Sequence, residues 1–152
     1  MSLEDLGNIG ELVAAVGVIA SLIYLALQIR QNTKAVRRSS HQSAVEGFTN
    51  VNSILLQDSE ATQIVTTGLQ HPEELDANEL TRFERWVGSL LAHMENLFFQ
   101  HRDGIIEIER WEAYEAVLRE FAVTRGYSVY WKRCRHRYSS SFQEFVEQLR
   151  AS

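Results

Sequence analysis

Residues 12–29 read LVAAVGVIASLIYLALQI, eighteen consecutive positions without a charge. At a rise of about 1.5 Å per residue this run is about 27 Å long as a helix, close to the roughly 30 Å hydrocarbon core of a bilayer. Glu11 and Arg30 bracket it, and only Ser21, Tyr24 and Gln28 interrupt its apolar character. A cleaved signal peptide would begin with a basic region, whereas Glu4, Asp5 and Glu11 precede this one. An interfacial helix would need a charged face, and none exists between Leu12 and Ile29. A central core helix of a soluble protein is the remaining competitor. A chain of 152 residues has little material with which to surround such a helix on every side. The run is therefore expected to be a transmembrane helix.

The flanks orient it. Arg30, Lys34, Arg37 and Arg38 come directly after the run, while no Lys or Arg precedes it. Positive charge collects on the cytoplasmic side, where these four side chains meet lipid headgroups. This places a short N-terminus outside and the C-terminal part in the cytoplasm. Within and beside the span, Gly10, Ala14, Gly17, Ser21, Tyr24, Gln28 and Gln31 recur at intervals of three and four, extended by Gly7 and Ala35. That is the 3.5-residue period of a left-handed helix pair. Small residues let helix backbones approach closely in lipid, so the stripe predicts a homo-oligomer joined through this helix. The same stripe read as a pore lining, with Tyr24, Gln28 and Gln31 at a cytoplasmic mouth, gives a small homo-oligomeric channel as the alternative.

The remainder of the chain has another character. One proline and eight glycines in 152 residues leave few helix breakers, and no alternating strand pattern of useful length occurs. The helix continues past Arg38 through Ala44, Phe48, Val51 and Leu55. Asp58 or Ser59 starts a short helix expected to stop near Gly68, and HPEELD around Pro72 is a turn. Asp76 and Glu79 form a capping box. The helix it opens carries Phe83, Val87, Leu90, Met94 and Leu97 on one face and ends at Gly104. The next helix is expected to turn Ile108, Trp111, Tyr114, Val117, Leu118 and Phe121 inward and to close at Gly126. A last stretch around Tyr130 and Trp131 precedes a break at serines 139–141, then a final amphipathic turn or two. The fold class is all-α. Residues 1–38 form the flank, span and basic segment, and residues 39–152 form a cytoplasmic bundle of four to five helices.

Catalytic chemistry leaves no trace in the motifs. Glu-x-x-His pairs, HExxH and phosphate-binding glycine loops are all missing, and the H-x-E at 93–95 lacks the P-C-x-x-C half of a deaminase site. No metal, cofactor or enzymatic activity is expected. A single cysteine excludes an internal disulfide and fits a reducing compartment. Lys132, Arg133, Arg135, His136 and Arg137 surround Cys134, a cluster expected chiefly to pair with the abundant glutamates and secondarily to activate the thiol or meet lipid headgroups. Residues 39–152 hold 17 acidic against 11 basic side chains, so no nucleic-acid partner is expected. The one candidate pocket gathers Glu95, Trp86 and His101, which would make the protein a membrane-tethered enzyme or ligand sensor. The plainer expectation for Glu95 is a boundary carboxylate reaching Arg82, Arg110 or solvent.

The string IGELVAAVGVIASLIYLALQIRQNTKAVR at 9–37 resembles the N-terminal signature of a family of small bacterial inner-membrane proteins with one span. The likeness extends more loosely through Glu95–Gln100 and Trp111–Tyr114. It implies a single-span inner-membrane protein with a helical cytoplasmic domain and brings no activity or catalytic residues with it. Together these readings give a self-associating membrane scaffold or interaction module, whose partners are lipids, its own copies and possible larger membrane complexes.

Overall fold

The computed structural model describes the backbone of residues 3–151, and the side chains of these except 3–9, 12, 13 and 54. Glu4, Asp5, Gly7 and Leu12 therefore lie outside the described side chains. The described residues form no strand. They make six α-helices: α1 (Leu3–Gln57), α2 (Ser59–Gln70), α3 (Ala77–Arg102), α4 (Ile108–Ala122), α5 (Arg125–Cys134) and α6 (Ser140–Ala151). Short 3-10 turns at Pro72–Glu74 and Arg135–Arg137 join α2 to α3 and α5 to α6. The chain divides into two compact units, Met1–Ser39 and Ser40–Ser152. One long apolar helix leads into a helical bundle, the all-α architecture that the hydrophobic spacing predicts.

The helix starts are set by local chemistry. Asp58 accepts from the backbone N–H of Glu60 and Ala61, at 2.9 and 3.3 Å. Asp76 accepts from Asn78 and Glu79 while the Glu79 carboxylate accepts from the Asp76 N–H at 2.9 Å, closing the capping box. Thr124 accepts from the Tyr127 N–H, and Ser139 from that of Phe142. Each satisfies backbone donors that have no partner inside the helix. α3 ends where Gly104 adopts φ +71°, the left-handed conformation that a glycine takes without strain.

α3 is the centre of the bundle. Phe83, Val87, Leu91, Met94 and Leu97 are buried along one side of it. Against them pack Ile64 of α2, Trp111 and Leu118 of α4, Trp131 of α5, and Phe142 and Val146 of α6. Tyr127, Trp131 and Tyr138 stack in succession at centroid distances of 5.6 Å. Phe98 meets Trp111, Phe142 and Phe145 at the other end.

Several expectations are corrected. α2 runs to Gln70, just past the expected stop near Gly68, whereas Gly126 lies within the first turn of α5 instead of closing α4. Both glycines serve helix approach: a Cβ on Gly126 would lie 1.9 Å from the Gly68 carbonyl oxygen, and one on Gly68 would strike the Phe83 ring at 2.4 Å. Ile108 and Val117 face solvent, at 60 % and 39 % exposure, because α4 buries the narrower Trp111–Leu118–Phe121 stripe. The final amphipathic segment is a full twelve-residue helix.

Candidate functional site

Two regions carry the residues singled out by the sequence. The first lies on α1. Among the described residues this is the one helix long and apolar enough to cross a membrane, within Ala14–Ser53, and none of its apolar window is buried. Val16, Val18, Ile19, Leu22, Ile23, Leu25, Leu27 and Ile29 are each more than half exposed. Gly10, Ala14, Gly17, Ser21, Tyr24, Gln28 and Gln31 are exposed too, in a row three and four residues apart, and so are Arg30, Lys34, Arg37 and Arg38. A Cβ on Gly10 or Gly17 would meet nothing within 4 Å. The polar members close back on their own helix. Ser21 donates to the Gly17 carbonyl at 2.8 Å, and the Gln28 amide donates to the Tyr24 hydroxyl at 2.8 Å. Each bond relieves a polar group of its need for water.

The second region is a cleft of about 660 Å³ along α3. Glu84, Gly88, Ala92 and Glu95 recur there at helical spacing, faced by Tyr130 of α5 and by Arg137 and Tyr138. Tyr130 and Tyr138 are buried and share a hydroxyl–hydroxyl hydrogen bond of 3.0 Å. Gly88 admits that pair, since its Cβ would lie 2.9 Å from the Tyr130 oxygen. Burial raises the Tyr138 phenol far above its ordinary range, and the bond to Tyr130 raises it further. It is a neutral donor and acceptor at any physiological pH. Glu95 accepts from the Ser139 N–H at 2.7 Å, across 44 residues, at the entry to α6. Glu84 is ion-paired with Arg133. The carboxylates are thus engaged by the fold, and the cleft presents hydroxyls and the exposed Arg85 and Arg137 guanidinium groups to a visiting molecule.

The three residues of the expected pocket are not brought together. Glu95 opens into the cleft. Trp86 lies in a different depression beside Asn50 and Val51, its indole edge-on to Phe121 at 5.9 Å. His101 stacks on Trp111 at 5.2 Å with Nδ1 3.2 Å from the Ile106 carbonyl. The helical repeat already forbids the first pairing: nine residues at about 100° each set Trp86 and Glu95 on opposite sides of α3. Arg82, one suggested partner of Glu95, pairs instead with Asp58 and Glu60.

Around Cys134 the thiol is 2 % exposed, which removes the reading of an accessible reactive cysteine. Arg133 pairs with Glu84 and Arg135 with Glu147 at 3.6 Å, the pairing with glutamates expected of that cluster. Among the described residues no three His, Cys, Asp or Glu side chains gather as a metal site. The Tyr130–Tyr138 pair is not signalled by sequence, because eight residues across a helix end have no fixed spatial relation. Comparison with family models, with curated proteins and with solved structures finds no match to this chain.

Proposed function

We propose that the protein is a membrane-anchored helical scaffold. In this reading residues 12–29 cross a bacterial inner membrane once. The stripe from Gly10 to Gln31 joins copies of the chain, and the helical domain is displayed in the cytoplasm as an interaction module. The observation that carries it is that none of the apolar window of α1 is buried. A core helix of a soluble protein would be covered by its own chain; a helix apolar on all sides and bare calls for a non-aqueous solvent. The inward-closed Ser21 and Gln28 fit the same surroundings. So does the basic run Arg30, Lys34, Arg37 and Arg38 after the span, which supports a cytoplasmic helical domain.

Two measurements test it. The full chain should stay with membranes under carbonate extraction, and release into the soluble fraction would overturn the span. In mild detergent it should have the mass of an oligomer. Replacing Gly17 and Ser21 together by Leu fills the close-approach stripe and should reduce that mass to one chain. An unchanged mass sinks the self-association, whereas ion conductance by the reconstituted oligomer would reassign the stripe to a pore.

A further inference from the structure

The second half of α1 is held on the bundle by a narrow contact. Ala44, at 2 % exposure, is the one fully buried residue among the described side chains of α1, and Phe48 and Val51 are only partly covered. The opposing group is His93 of α3. A Cβ on Gly47 would lie 2.5 Å from His93 Cε1 and 2.7 Å from Nδ1, so the imidazole occupies the space the glycine leaves. The ring hydrogen-bonds to the Ala44 backbone, and its Nε2 is buried with no partner.

We propose that the docking of residues 44–51 on α3 is acid-labile, and that protonation of His93 is what releases it. A neutral imidazole that donates to Ala44 keeps a bare lone pair on Nε2, which burial tolerates. His93 is half-buried with Nε2 itself shielded, and the imidazolium would place a charge and an N–H without an acceptor there, which is costlier. Among the described residues no ionised neighbour offsets that cost. On α1, His41 is exposed and Glu46 is exposed and bonded by Gln42; on α3, Glu95 is turned to the Ser139 N–H. Burial is the main influence on the ring and holds it below the ordinary 6.5, opposed only by the Ala44 bond.

Proton counting gives the sign of the effect. Undocked, His93 takes up a proton as pH falls through about 6.5; docked, it does so only at lower pH. The docked state binds fewer protons over that window, so docking weakens from about pH 6.5 downward and levels off once the docked ring titrates. Acid release does not depend on membrane insertion, since it concerns residues 40–152 alone.

Hydrogen exchange of the full chain in neutral detergent, normalised to intrinsic rates, reads this directly. Between pH 7.5 and 5, peptides within 41–56 should lose protection by about tenfold for each pH unit by which the docked ring titrates below 6.5. Peptides from the buried side of α3 and from α6 should keep theirs. His93→Gln cannot titrate, so its 41–56 protection should be flat with pH, whatever its level. The NMR titration of the wild-type His93 ring should have its midpoint where the exchange profile levels off. Protection that is constant with pH in the wild type overturns the inference. So does a His93→Gln profile that falls as the wild type's does, or a His93 ring that titrates at or above 6.5.

Discussion

Tyr127 is a polar anomaly at the residue scale. It is fully buried, stacked on Trp131 at 5.6 Å, and its hydroxyl has no hydrogen-bond partner. Tyr130 is equally enclosed, yet its hydroxyl is satisfied by Tyr138. The same substitution at the two positions should therefore act in opposite directions. Tyr127→Phe removes an unsatisfied polar atom and keeps the ring, so the urea midpoint should hold or rise, by the equivalent of up to about 1 kcal/mol. Tyr130→Phe strands the Tyr138 hydroxyl and should cost about 1–3 kcal/mol on the same curve. Equal losses at both sites would show that Tyr127 has an acceptor after all. Gly126 makes a third test. A methyl there would enter the Gly68 carbonyl, so Gly126→Ala should destabilise by about 1–3 kcal/mol, where an ordinary helical glycine gains from alanine.

Among the elements, sequence makes legible whatever is decided within a turn or two of helix. The Asp76–Glu79 box, the Gly104 stop and the apolar face of α3 depend on neighbours three or four residues away, and all three stand in the structure. Gly68 and Gly126 read as helix ends because their contact joins positions 58 apart, and isolated glycines look like breakers when the facing helix is unknown. The pocket expected at Glu95, Trp86 and His101 does not form for a related reason: polarity on a helix shoulder does not say which element covers it. α6 does that for Glu95, through the Ser139 N–H. Glu95 thus works as a tie between α3 and the start of α6. Glu95→Gln keeps an oxygen acceptor and should leave thermal stability nearly unchanged, whereas Glu95→Ala should lower it by about 1–2 kcal/mol. A loss as large for Gln as for Ala would mean that the charge, not the hydrogen bond, matters. Asp76→Ala should cost about 1 kcal/mol, and helical content lost from α3 by circular dichroism would register it.

For the whole molecule, the two units Met1–Ser39 and Ser40–Ser152 differ in how their apolar side chains are covered. Within Ser40–Ser152 the large apolar side chains of α3 are covered by its neighbours; on the apolar window of α1 they are bare. A substitution on that window away from the Gly10–Gln31 stripe therefore breaks no packing within the chain and acts through the surroundings. Eight exposed Val, Leu and Ile residues between Val16 and Ile29 favour insertion by about 0.3–0.6 kcal/mol each, a total of roughly 2–5 kcal/mol. One arginine near the centre opposes it by about 2.5–3.5 kcal/mol, enough to cancel most of that gain. Leu22→Arg should accordingly move a large fraction of the chain out of carbonate-washed membranes, yet leave the urea midpoint of the helical domain in detergent where it was. Val123→Arg places the same charge on a side chain that is 75 % exposed at the end of α4, and should alter neither membrane retention nor the midpoint. Were Leu22→Arg instead to lower the midpoint and leave membrane retention intact, α1 would be a packed protein helix covered by another polypeptide, with no bilayer needed to shield it.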